Sequence, residues 1–207
     1  LGSRSGLYKV EKTKNEIFKV SSLNKKINAD LLASDKNNES PNIVFSLFED
    51  SKNNIWIGTL GNGLITYNTN KDTFKEYNLN NGLIHKTVFS ISEDNNKFLW
   101  IAGNKGLSKF NSRENSFTNF NKKDGLLSNR FNYNATYKED NNVLYFGNSK
   151  GINYFNPEKI IYNKEKPLVY LANLKISDEI IEPFKESKLL KTVISKTKEL
   201  TLKHQQS

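Results

Sequence analysis

The run Val88-Phe89-Ser90-Ile91-Ser92-Glu93-Asp94, followed by Asn95-Asn96-Lys97 and Phe98-Leu99-Trp100-Ile101-Ala102-Gly103, decides the fold, because the chain repeats it. Upstream stand Val44-Phe45-Ser46-Leu47-Phe48-Glu49-Asp50, Ser51-Lys52-Asn53-Asn54 and Ile55-Trp56-Ile57-Gly58. Downstream stand Asn134-Ala135-Thr136-Tyr137-Lys138-Glu139-Asp140, Asn141-Asn142 and Val143-Leu144-Tyr145-Phe146-Gly147. Gly58 and Gly103 are 45 residues apart, Gly103 and Gly147 44. Each copy continues alike, with Gly63-Leu64-Ile65-Thr66-Tyr67-Asn68, Gly106-Leu107-Ser108-Lys109-Phe110-Asn111 and Gly151-Ile152-Asn153-Tyr154-Phe155-Asn156. The first two then close on Thr73-Phe74-Lys75-Glu76-Tyr77 and Ser116-Phe117-Thr118-Asn119-Phe120.

Short segments that alternate apolar and polar residues, parted by Asn, Gly and Asp, read as strands. Apolar residues three and four apart, the mark of a helix, are missing from these segments. Four antiparallel strands every 40 to 50 residues or so make a β-propeller blade. The expected fold is therefore all-β: a partial propeller with a half blade at 1–20 and blades at about 44–77, 88–120 and 131–157. Propellers close with about four to eight blades, so further blades are expected upstream. Trp56 and Trp100 recur at one strand position, taken by Tyr145 in the third copy, and are expected in the core between blades rather than as stacking platforms.

Composition narrows the function classes. Of 207 residues 36% are apolar, yet 12% are aromatic, which a disordered chain would lack. The longest apolar runs have four or five residues, against about 20 for a membrane helix. With no cysteine, disulfide scaffolds, Cys-zinc sites and thiol nucleophiles are excluded. The net charge of +9 comes from scattered lysines, with arginine only at 4, 113 and 130, so no nucleic-acid partner is expected. The chain opens on Leu1-Gly2-Ser3-Arg4 and contains no Met, so it is expected to be a piece of a longer protein, with any membrane attachment outside it.

The pattern (I/V)-F-S-(L/I)-x-E-D, (I/L)-W-I-x-G and G-L-x-x-(Y/F)-N resembles the two-component regulator propeller repeat. Asn81-Gly82-Leu83 and Asp124-Gly125-Leu126-Leu127-Ser128-Asn129 resemble that family's loop between blades. The third copy, through Asn156-Pro157, resembles its terminal blade. Lys166-Pro167-Leu168-Val169-Tyr170-Leu171-Ala172 and Glu199-Leu200-Thr201-Leu202-Lys203-His204 resemble strands of the Y_Y_Y-type β-sandwich that follows. The resemblance implies propeller blades over 1–163, the start of a sandwich over 164–207, and a periplasmic sensor region of a hybrid histidine kinase. It further implies a glycan-derived or other polar ligand and a homodimer in the full-length protein.

Catalysis by this segment is not expected. His85 and His204 lack triad partners, and Gly2-Ser3-Arg4-Ser5-Gly6 has Arg where G-x-S-x-G needs Ser. The pairs Glu49-Asp50, Glu93-Asp94 and Glu139-Asp140 could suggest glycosidase carboxylates, but their recurrence marks them as turn residues. No metal site or cofactor is expected. Binding is placed instead on the loops that vary: the 21–43 insertion, 78–87 and 121–130, with Arg4, His85, Lys86, Arg130 and Asn132 as candidate ligand contacts. The competing readings are a polysaccharide lyase or hydrolase working at the same face and a protein-binding scaffold.

Overall fold

The computed structural model describes residues 1–13, 18–31, 43–162, 173–176, 179–183, 190, 193–197 and 199. The chain divides into two compact units, Leu1–Ile160 and Ile161–Ser207. In the first unit, strands β1 (Gly2–Ser3), β2 (Gly6–Lys12) and β3 (Phe18–Ser22) make a three-stranded sheet, followed by the helix α1 (Asn24–Leu31). Then come β4 (Val44–Glu49), β5 (Asn54–Thr59), β6 (Leu64–Asn68) and β7 (Thr73–Tyr77), hydrogen-bonded in that order. The next blade is β8 (Val88–Glu93), β9 (Leu99–Gly103), β10 (Leu107–Asn111) and β11 (Ser116–Phe120), and the last β12 (Phe131–Lys138), β13 (Leu144–Asn148) and β14 (Gly151–Phe155). The fold is thus a partial propeller of antiparallel blades, with the four-stranded pair at the expected residues.

The hairpin turns explain the Asn-rich spacers. Asn53, Lys97 and Asn142 sit at φ 61°, 67° and 66°, the left-handed region where Asn carries a smaller penalty than most residues. Each follows an acid whose backbone closes the turn: Asp50 N–H donates to Asn54 O, Asp94 N–H to Phe98 O and Glu139 N–H to Val143 O, at 3.0, 3.0 and 2.9 Å. The third copy therefore aligns Glu139, not Asp140, with Asp50 and Asp94. Matching the letters Glu-Asp shifts that copy by one residue.

Alternation along the strands gives each blade two apolar faces, and neighbouring blades bury them against each other. Trp56, Leu64 and Tyr77 pack with Val88, Ile91, Leu99, Ile101 and Phe110 of the following blade. One blade on, Trp100, Ala102 and Leu107 pack with Phe131, Leu144 and Phe146. Trp100 is fully buried; its loss to Ala would cost about 3–5 kcal/mol. Close approach of neighbouring blades requires a small residue on the second strand: a Cβ on Gly58 would stand 2.7 Å from Val88 Cγ1 and 2.9 Å from Val88 O of the following blade.

One feature departs from the expectation. The 21–43 insertion opens with α1, whose Ile27 is buried with Leu7, Ile57, Ile65 and Phe74. Its Lys26 Nζ meets Asp72, in the turn before β7, at 2.6 Å. This part of the insertion lies along the flank of the blade and does not crown the loop end; residues 32–42 lie outside the described residues. The expected sandwich strand at 166–172 also lies outside them. In the second unit Lys175–Ile176 pairs with Glu179–Ile180 as a two-stranded sheet.

Candidate functional site

Antiparallel order brings two sets of loops to one end of the blades: those leading from β7 to β8 and from β11 to β12, and the short turns between each second and third strand. The two long loops share one construction. Asn78 Oδ1 accepts from Asn80 N–H at 2.9 Å while Asn78 N–H donates to Asn81 Oδ1 at 2.9 Å. Asn121 repeats this with Lys123 N–H and Asp124 Oδ2, both at 2.8 Å. Gly82 and Gly125 follow at φ 101°, where a Cβ would be strained. The first loop is stapled to the preceding blade, since Lys86 O accepts from Gly61 N–H at 3.1 Å and Gly63 N–H at 2.7 Å.

Where these loops enter the inner strands, the strands bulge. The pairing of β4 with β5 shifts between Val44 and Ser46, that of β8 with β9 between Val88 and Ser90, and that of β12 with β13 between Phe131 and Thr136. A bulge re-aims side chains. Here it gathers one aromatic from each inner strand. Phe45 stacks on Tyr133 with centroids 4.8 Å apart, and Phe89 meets Tyr133 edge-on at 4.6 Å and Phe45 at 5.5 Å. Phe89 is buried, whereas Tyr133 keeps 58% of its surface exposed. This trio was not among the expected site residues. The signal was present in the second position of the Val-Phe-Ser runs, but Tyr133 reaches it only through the wide β12 bulge, where Asn134 takes φ 47°.

The five expected residues all fall at this loop end. Arg4 is exposed in the turn between β1 and β2. Lys86 is exposed just ahead of β8, Arg130 just ahead of β12, and Asn132 within the β12 bulge beside Tyr133. Lys86 thus stands three residues ahead of Phe89, Arg130 three and Asn132 one ahead of Tyr133, while Arg4 stands on the first blade. His85 is half-buried, and its Nδ1 accepts Thr87 N–H at 3.0 Å. Ser128 Oγ does the same for Arg130 N–H at 3.2 Å, so His85 holds a turn. Burial, and then the charge of Lys105, push its imidazole below the ordinary value.

Charge is unevenly placed. The described loops at this end carry Lys105, Lys122, Lys123 and Lys150 besides Arg4, Lys86 and Arg130, against Asp124, which is spent on its cap. The acids gather at the opposite end, where they serve the fold. Asp50 Oδ2 accepts the Trp56 indole N–H at 2.7 Å, Asp94 Oδ2 that of Trp100 at 2.8 Å, and Glu139 Oε1 the Tyr145 hydroxyl at 3.0 Å. The longer Glu matches the change of ring. Among the described residues no three His, Cys, Asp or Glu side chains group as a metal site.

Comparison with known proteins agrees with this architecture. The family model described as two component regulator propeller matches residues 38–61 and 82–105. "Histidine kinase P4" of Formosa agariphila is 31% identical over 160 residues, which is 77% of this chain and 12% of that protein's length. Two extracellular domains from B. thetaiotaomicron, assigned to the hybrid two component systems BT3049 and BT4673, share the fold. They align with TM-scores of 0.58 and 0.52 at 18% identity, covering 85% and 83% of this chain and 26% of each of theirs.

Proposed function

Because the chain is built of two-component regulator propeller repeats, we propose that it is a ligand-binding segment of the extracytoplasmic sensor of a histidine kinase. The chain spans 12% of the length of its kinase relative, so the kinase output, the membrane anchor and a homodimer belong to the proposal for the whole protein. No helix among the described residues is long and apolar enough to cross a membrane. The Ile161–Ser207 unit is read as the beginning of a β-sandwich that relays the signal.

The ligand is read as a glycan-derived or other polar, anionic cue held at the loop end. The observation that carries this is the exposed Tyr133 ring, backed by Phe45 and Phe89 and flanked by Lys86, Arg130 and Asn132. An apolar plate with a few fixed polar groups is the make-up of small-molecule sites. A guanidinium presents a planar fork of donors to a carboxylate or sulfate. Signalling requires that the ligand bind one arrangement of the sensor more tightly than another. Among the described residues at this end, Glu76 and Asp124 each hold an asparagine, which favours binding over the enzyme reading.

Calorimetry of the complete extracytoplasmic region against neutral and acidic oligosaccharides tests the proposal. Binding of an acidic member, weakened about tenfold or more by Tyr133→Ala and by Arg130→Ala with circular dichroism unchanged, supports it. Unchanged affinity in both variants places the ligand elsewhere.

A further inference from the structure

A cleft of about 320 Å³ opens between the blade of β4–β7 and the blade of β8–β11, on the side of the acidic turns and away from the loop end. The edges of the buried Trp56 and Tyr77 form its floor, and Lys52, Lys71 and Lys75 stand at its exposed rim. The hydroxyls of Thr66, Thr73 and Ser112 also line it.

Register explains why the cleft exists at this position. Trp56 faces Thr66 across the ladder, and Trp100, its counterpart one blade on, faces Lys109. Lys109 lays its Nζ 4.0 Å over the Phe98 ring and 5.8 Å from that of Trp100, roofing the indole. In the earlier blade the lysine has moved to the outer strand, where Lys75 Nζ lies 4.6 Å over Tyr77. The short Thr66 leaves the space beside Trp56 unfilled. The acid at the base, Asp50, is engaged by Trp56 Nε1, by Asn54 and by Lys52 N–H, so its carboxylate is satisfied within the fold, and the exposed Lys52, Lys71 and Lys75 are the other charged residues of the lining.

We infer that this cleft is a second binding site, for a small hydroxylated carboxylate of monosaccharide size. The volume is at the low end of small-molecule pockets, roughly 300–1,000 Å³. Ammonium groups at the rim select an anion, and the hydroxyls pair with ligand hydroxyls. The site is independent of the loop-end site, since it shares no residue with it.

The test uses the ¹⁵N-labelled 207-residue chain and sodium glucuronate as the probe, read at the two indole N–H resonances. A saturable shift of Trp56 with Kd of about 1 mM, with Trp100 unmoved, is expected. Glucose should act about tenfold more weakly. Thr66→Lys, which copies the neighbouring blade, should abolish the shift with the rest of the spectrum retained, and Lys71→Ala, at an exposed position, should weaken it. The inference is overturned by an absent shift, by equal shifts of both indoles, by an undiminished response in Thr66→Lys, or by sulfate alone reproducing the saturation.

Discussion

Trp100 gives its indole N–H to Asp94 at 2.8 Å, and both side chains are withdrawn from solvent, to 0% and 1% exposure. The pair joins the core to a hairpin turn. The acid's other oxygen accepts Phe98 N–H at 3.0 Å, so one carboxylate shapes the turn and orients the largest ring of the interface between blades. Asp94→Ala strands two buried donors and should cost about 3 kcal/mol. In urea unfolding the midpoint should fall with the slope unchanged. An unmoved midpoint would show that the turn closes without the acid.

Asp50 makes the same link to Trp56 nearer solvent. Burial raises its carboxyl pKa, but the Trp56 and Asn54 side chains and the Asn54 and Lys52 N–H groups outweigh that and hold it below the ordinary value. A depressed carboxylate adds stability that is present above the unfolded value, near 4, and is lost as pH falls through the folded one. The stability difference between the native chain and Asp50→Asn should therefore shrink from pH 6 towards pH 3 or so. A constant gap, measured by thermal melts across that range, would contradict this.

His85 carries the opposite protonation chemistry. Its Nδ1 accepts Thr87 N–H, so the proton sits on Nε2, and burial and Lys105 disfavour a second proton. Its contribution is complete above the unfolded value of about 6.5 and is lost as pH falls through the lowered folded value. Since Ser128 fills this role one blade on, His85→Ser should fold normally and should lose less stability than the native chain between pH 7 and pH 5 or so. Parallel pH dependence in the two would remove His85 from the turn.

The period, the strands and the blade interfaces were legible because alternation and a fixed repeat fix which face is buried. Trp56 and Trp100 at equal strand positions suffice for that. The helix α1 was hidden in a polar run in which Ile27 is buried against the sheet. The site was half legible. Arg130 and Lys86 show as cations ahead of inner strands, but the meeting of Phe45, Phe89 and Tyr133 depends on bulges, which leave no pattern in a single copy. The cleft beside Trp56 becomes legible only after Thr66 and Lys109 are placed in register.

Glycines separate steric from conformational demands. Gly103 has backbone where a Cβ would go, 2.3 Å from Thr87 O, whereas Gly61, at φ 96°, has nothing within 4 Å. Gly103→Ala should force the start of β8 away from β9 within their blade at a cost of about 1–3 kcal/mol. Gly61→Ala should cost about 1 kcal/mol through backbone strain alone. Equal losses in chemical denaturation would mean that the β8–β9 pairing yields at this point.

The last blade presents an interface face that the described residues of the first unit leave exposed. Ile152 occupies the register position of Leu64 and Leu107, yet it is 59% exposed where they are 0% and 1%. Beside it Tyr137, Tyr145 and Tyr154 form a ladder with centroids 6.1 and 5.8 Å apart, at the positions of the tryptophans and their cross-strand neighbours. The first blade offers a second such face in Phe18 and Val20, at 65% and 59% exposure. Contiguous exposed apolar surface of this kind drives association. The chain by itself should self-associate with rising concentration, and Ile152→Lys with Tyr154→Lys should make it monomeric without loss of β signal in circular dichroism. Sedimentation velocity decides the matter: a native chain that stays monomeric, or a double variant that associates as strongly, would show that these faces do not seek a partner.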